Sequence, residues 1–107
     1  MLAPAYGPLF TIHSLSEISI PVNIVSAEYD QTLDSQYHAR HFAKNIANSS
    51  SSVIGGAGHF TFLAPCPEAL KAQLPLLCVD GDGVDRVSVH QKLNGDIRGF
   101  LSGEGWR

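Results

Sequence analysis

The stretch from position 20 to 30, I-P-V-N-I-V-S-A-E-Y-D, constrains the fold more than any other part of this chain. Val22, Ile24 and Val25 are β-branched, and Pro21 and a polar segment bound the run. Strict alternation of apolar and polar residues would mark a strand with one wet face. A nearly continuous apolar run marks a strand covered on both faces, as in parallel sheets. A second strand is expected over residues 52–54, after a turn of small polar residues at 48–52. Between the two, Ala39, Phe42, Ala43 and Ile46 recur at i, i+3, i+4 and i+7, which predicts an amphipathic helix over 36–46 with Asp34 or Ser35 as its cap. Strand, helix and strand in that order imply a right-handed crossover between parallel strands. The expected fold class is α/β, with two or three parallel strands and flanking helices.

The remaining pattern fits around this unit. The opening L-A-P-A-Y-G-P-L-F reads as a loop leaving a strand, and 14–18 as a helical turn capped by Ser14 or Ser16. A short helix is expected over 67–74, ended near Pro75, followed by an acidic turn-rich loop at 79–85. A last helix runs from Asp85 or Arg86 to Leu101, with Val89, Leu93, Ile97 and Phe100 on one face. Gly95 and Gly99 weaken it by about 1 kcal/mol each relative to alanine, and the tail at 102–107 is expected to fray. The 107 residues allow one small domain. Only 16% of them are charged, against about a quarter in ordinary globular domains, so the chain has a small polar surface for its length and suits a part of a larger body. The net charge is −3 without any Lys/Arg cluster, so neither nucleic acid nor an anionic membrane is an expected partner. No apolar run approaches the length of a membrane span, and no signal peptide is visible.

The chemistry concentrates in a pair. Asp30 lies just past the carboxyl end of the first strand and His59 in the glycine loop after the second. In open parallel sheets reactive groups gather at that edge. A histidine acting as general base needs its other ring nitrogen held by a carboxylate, which selects the tautomer and stabilises the imidazolium. The glycines at 55, 56 and 58 allow a sharp turn that leaves His59 projecting, with Phe60 and Phe62 as an apolar wall. Taken singly, an aspartate after a strand is more often a loop cap, and a histidine in a glycine loop more often structural. Two adjacent strand ends on one edge favour the acid–base reading. Glu28 is the fallback acid. Cys66 and Cys78, twelve positions apart, are either two buried thiols or a disulfide, and a disulfide would need an oxidising compartment, periplasmic or secreted.

The residues I-S-I-P-V-N-I-V-S-A-E-Y-D followed by V-I-G-G-A-G-H-F-T-F-L resemble the last two strands of an α/β-hydrolase. More narrowly, G-A-G-H-F-T-F-L-A-P-C and L-P-L-L-C-V-D-G-D-G-V-D-R-V-S-V-H are similar to predicted dienelactone hydrolases, relatives of platelet-activating-factor acetylhydrolases. The resemblance implies one partial domain over 1–107, the C-terminal segment of a serine ester or lactone hydrolase, with Asp30 as triad acid and His59 as triad base. No cofactor and no metal is expected from the residues themselves. The resemblance suggests that Cys66 and Cys78 could be bridged and that Asp85 and Arg86 play a structural part. The family order is Ser, Asp, His, and the last two follow it here. No G-x-S-x-G occurs, and Ser102, beside a glycine, follows the histidine. The nucleophile and oxyanion hole are therefore expected upstream, with little activity from this chain alone. The alternative is a non-catalytic remnant or interaction module of the same fold. Self-association is expected in either case, because two or three strands leave an open edge.

Weaker candidates fail on their own spacing. D-G-D-G-V-D at 80–85 has the acid spacing of a calcium loop, but Asp85 stands where an EF-hand requires glycine and Gln91 where it requires glutamate. An acidic turn before a helix is expected instead. His38 and His41 are one helical turn apart without an evident third metal ligand. Asn48-Ser49-Ser50 satisfies the glycosylation spacing, which only a secreted eukaryotic chain would use.

Overall fold

A computed structural model describes residues 1–103. Its elements are helix α1 (Ile12–Ser16), strand β1 (Val22–Ala27), helix α2 (Ala39–Asn45), strand β2 (Ser49–Ile54), helices α3 (Glu68–Gln73) and α4 (Pro75–Cys78), and helix α5 (Arg86–Leu101), with 3₁₀ turns at Gly7–Leu9 and His59–Phe62. The architecture is mixed α/β: a two-stranded parallel sheet with flanking helices.

The apolar run forms β1, paired with β2 from Val22↔Ser49 to Ala27↔Ile54. On its other side Val25 donates to the Met1 carbonyl at 2.9 Å and accepts from the Ala3 N–H at 2.8 Å, making a parallel bridge at Leu2. Thus β1 has hydrogen-bonded neighbours on both sides, and Ile24 and Val25, which point to opposite faces, are 1% and 3% exposed. On one face Ile24 packs with Leu15, Ala39, Phe42 and Ile46. On the other, Val25 and Ile54 line a cavity together with Val89 and Leu93 of α5.

Several boundaries differ from those read in the sequence. β2 begins at Ser49, so residues 49–51 are strand rather than turn. Four serines have poor strand preference, but β1 offers them a parallel ladder, and Asn23 Nδ2 donates to Ser50 Oγ at 3.0 Å across it. α2 starts at Ala39 rather than 36, because His38 has non-helical backbone angles and takes the Gly7 N–H on Nδ1 at 3.2 Å. The opening loop crosses here so closely that a Cβ on Gly7 would overlap the Tyr37 carbonyl oxygen. α1 lies two residues earlier than expected, capped by Thr11, whose Oγ1 accepts from the Ser14 N–H at 3.1 Å. Pro75 ends one helix as expected and also opens α4, since proline suits the first turn. At the C-terminus Ser102 and Gly103 stay tied to Arg98 and Phe100. Residues 104–107 of the expected tail lie outside the described residues.

Cys66 and Cys78 form a disulfide, with Cα atoms 5.5 Å apart. Closing a loop of this length stabilises the fold by about 3 kcal/mol in the chain-entropy model. Among the described residues no helix is long and apolar enough to cross a membrane.

Candidate active site

The edge of the sheet is stitched before any side chain is considered. Glu28 donates its N–H to the Ile54 carbonyl at 3.1 Å and Tyr29 donates to the Ala57 carbonyl at 2.9 Å, so the loops after β1 and β2 run together. Gly56 turns the second loop at φ 74°, a left-handed angle that glycine adopts without steric cost. Its N–H donates to Glu28 Oε2 at 2.7 Å. Glu28 therefore braces the glycine loop instead of meeting the histidine.

Asp30 and His59 meet. Nδ1 of His59 lies 2.8 Å from Asp30 Oδ2, and the side chains are 22% and 7% exposed respectively. The second Asp30 oxygen, Oδ1, accepts from the N–H groups of Thr32 at 2.9 Å and Leu33 at 2.8 Å. The loop-cap role and the histidine-partner role are thus both filled, one by each oxygen. Because a carboxylate only accepts, the shared proton sits on Nδ1, and in the neutral form of the ring the lone pair is then on Nε2. Among the described residues no hydrogen bond reaches Nε2. Phe60 stands edge-on to the imidazole, ring centroids 5.0 Å apart; among the described residues no ring contact joins Phe62 to it. His59 lines a cleft of about 120 Å³ with Tyr29, Thr32, Leu76 and Val79. Sites that enclose a small molecule usually measure roughly 300–1,000 Å³, so this cleft by itself is too small to enclose one.

Behind His59 lies a cluster the sequence reading did not assemble. Arg86, 6% exposed, donates from Nε to Asp80 Oδ2 and from Nη2 to Oδ1, both at 2.9 Å. It also reaches the Leu77 carbonyl at 3.0 Å and the Ala64 carbonyl at 3.4 Å, next to the two half-cystines. Thr61 Oγ1 donates to Asp80 Oδ1 at 2.8 Å. The motif D-G-D-G-V-D was expected to be only an acidic turn, and its first aspartate is instead the partner of a buried arginine. Asp85, the other half of the D-R pair, caps α5 by accepting from the Val87 N–H at 3.3 Å.

Burial pushes the Asp80 carboxyl up, but hydrogen bonds from Arg86 and Thr61, with the charges of Arg86 and His90, outweigh it and hold the group below its ordinary range. A carboxyl depressed in the folded state stabilises the fold fully above its unfolded value, and that contribution is lost as pH falls through the folded value. The urea midpoint is therefore expected to fall as pH drops below about 4. Replacing Asp80 and Arg86 together by leucine and methionine should shrink that fall. An undiminished fall in the double variant would locate the acid sensitivity elsewhere.

The other sequence candidates are placed apart. His38 takes the Gly7 N–H, and His41 Nε2 donates to the Phe10 carbonyl at 2.8 Å. Among the described residues no group of three or more His, Cys, Asp and Glu could hold a metal ion. Asn48 is exposed at the entry to β2. Comparison with protein-family models, with curated proteins and with solved structures finds no match to this chain.

Proposed function

We propose that this chain is the C-terminal part of an α/β-hydrolase fold and supplies the acid and base of a serine hydrolase acting on a carboxylic ester or lactone, in the manner of the dienelactone hydrolases it resembles. The observation that carries the reading is the 2.8 Å contact between His59 Nδ1 and Asp30 Oδ2 at the carboxyl edge of two adjacent parallel strands. Asp30 orients the ring. His59 Nε2 takes the proton of a serine hydroxyl as its oxygen attacks the ester carbonyl, and returns that proton to the departing alkoxide. Water then cleaves the acyl-enzyme by the same two transfers. The serine and the oxyanion-hole donors are supplied from outside these 107 residues, and they complete the small cleft at His59. The Cys66–Cys78 bridge supports an oxidising compartment.

Exposed apolar side chains support the same division of labour. Leu9, Ile12, Val53 and Leu76 are each more than 60% exposed, and among the described residues β2 pairs only with β1, which leaves an open sheet edge. By itself the chain self-associates.

The test is expression of the chain joined to whatever its reading frame encodes upstream. A serine-reactive fluorophosphonate should label that protein at a G-x-S-x-G serine, the protein should hydrolyse an aryl ester, and the chain by itself should do neither. Absence of such a motif upstream, or hydrolysis by the chain alone, would overturn the proposal. The first outcome would favour a non-catalytic interaction module.

A further inference from the structure

The turn carrying His59 is held from behind by groups the acid–base pair does not use. Thr61, 1% exposed, occupies the third position of the 3₁₀ turn, and its Oγ1 accepts from the Gly58 N–H at 3.0 Å. The same oxygen donates to Asp80 at 2.8 Å. A hydroxyl has one proton, and an ionised carboxylate can only accept. Asp80 therefore takes that proton and leaves the Thr61 lone pairs to Gly58. This half of a capping box closes the turn across His59.

Two further contacts make the arrangement rigid. Arg86 grips both Asp80 oxygens, so the carboxylate cannot rotate away from Thr61. One helical turn later on α5, His90 Nε2 donates to the Thr61 carbonyl at 2.7 Å. Thr61 is thus held by Asp80 and by α5, both outside its own turn, whereas among the described residues the His59 side chain has one hydrogen-bond partner, Asp30, and one ring contact, Phe60. Asp30 fixes the ring from its Nδ1 side, and the backbone of the turn sets where the ring is presented to that carboxylate.

We propose that Asp80 is a positioning residue for His59: by committing the Thr61 hydroxyl it holds the 58–61 turn so that the imidazole offers Nδ1 to Asp30 and keeps Nε2 open for the reacting proton. This rests on the acid–base reading of Asp30 and His59 above. Its test uses no substrate, so either idea can fail without the other.

The readout is the His59 tautomer, from nitrogen NMR of the isotopically labelled chain at about pH 8, where an ordinary imidazole is neutral. Spectra are taken in solution, or by magic-angle spinning if the chain associates. Wild type should carry its proton on Nδ1. Thr61→Val keeps the side-chain shape and removes the hydroxyl, and the fraction protonated on Nε2 should rise roughly tenfold, the shift expected for one lost hydrogen bond. Thr61→Ser restores the hydroxyl and should return the wild-type ratio. Asp80→Leu with Arg86→Met removes the charge pair together and should behave like Thr61→Val. A folded Thr61→Val protein with an unchanged His59 tautomer would overturn the proposal. Failure of both variants to fold would also overturn it, since the cluster would then serve the whole domain rather than the angle of His59.

Discussion

Asp30→Asn, made in the protein that carries the nucleophile, is expected to lower kcat by roughly 10⁴-fold with little change in KM. The geometry makes this a clean substitution. An asparagine oxygen can still accept from the Thr32 and Leu33 N–H groups that Asp30 Oδ1 holds, so the loop keeps its cap. The amide nitrogen then faces His59 Nδ1 and can only donate. The ring must turn its lone pair to Nδ1 and its proton to Nε2, the wrong tautomer for a base. His59→Ala removes the base itself and should cost about 10⁶-fold in kcat, leaving what binding and oxyanion stabilisation supply. Steady-state kinetics on an aryl ester measure both, with circular dichroism to show that the fold is retained. A loss below tenfold in either variant is incompatible with an acid–base pair and would move the functional reading toward an interaction module.

Arg86→Met is expected to destabilise the fold by about 3–5 kcal/mol, because breaking a buried pair leaves its partner charged and uncompensated. Arg86 is 6% exposed and Asp80 10%, and the guanidinium also satisfies the carbonyls of Ala64 and Leu77. With the cation gone, burial, which already opposes ionisation of Asp80, has less to offset it, and the carboxyl should titrate upward. Small domains are stable by only about 5–15 kcal/mol, so this single change removes a large share. Arg86→Lys should not restore the loss, since an ammonium cannot reproduce the two-pronged contact to Asp80 while reaching both carbonyls. The double variant Asp80→Leu, Arg86→Met should recover part of it, because neither charge is left alone. Urea unfolding of the three proteins checks the series. A single Arg86→Met variant within 1 kcal/mol of wild type would mean that water reaches Asp80 freely.

Legibility followed the range of the interaction that decides each feature. The β-branched run at 22–25 is a local signal, and it correctly implied a strand covered on both faces. The serines at 49–52 carry no such signal. They are strand because β1 presents unpaired backbone groups in parallel register, which no property of serine announces. Local pattern likewise placed a helix through Phe42 and Ile46, but its start depended on Gly7 donating to His38 from thirty-one residues away.

For the candidate site, residue type and order were enough to anticipate that Asp30 and His59 meet. An aspartate and a histidine after consecutive parallel strands leave by the same edge, and the chain has little choice but to bring them close. The cysteines announced only that a bridge was one of two readings, and the bond between their sulfurs in the fold decided it. Asp80 was hidden for a physical reason. Its neighbours, Gly81, Asp82 and Gly83, make the segment look solvated, and a charge in water and a charge buried against arginine are spelled with the same letter. What the sequence determined was the strand, the crossover and the identity of the two groups at its end. What only the tertiary structure decided was which charges lose their water, because desolvation depends on everything packed around a group and not on its neighbours along the chain.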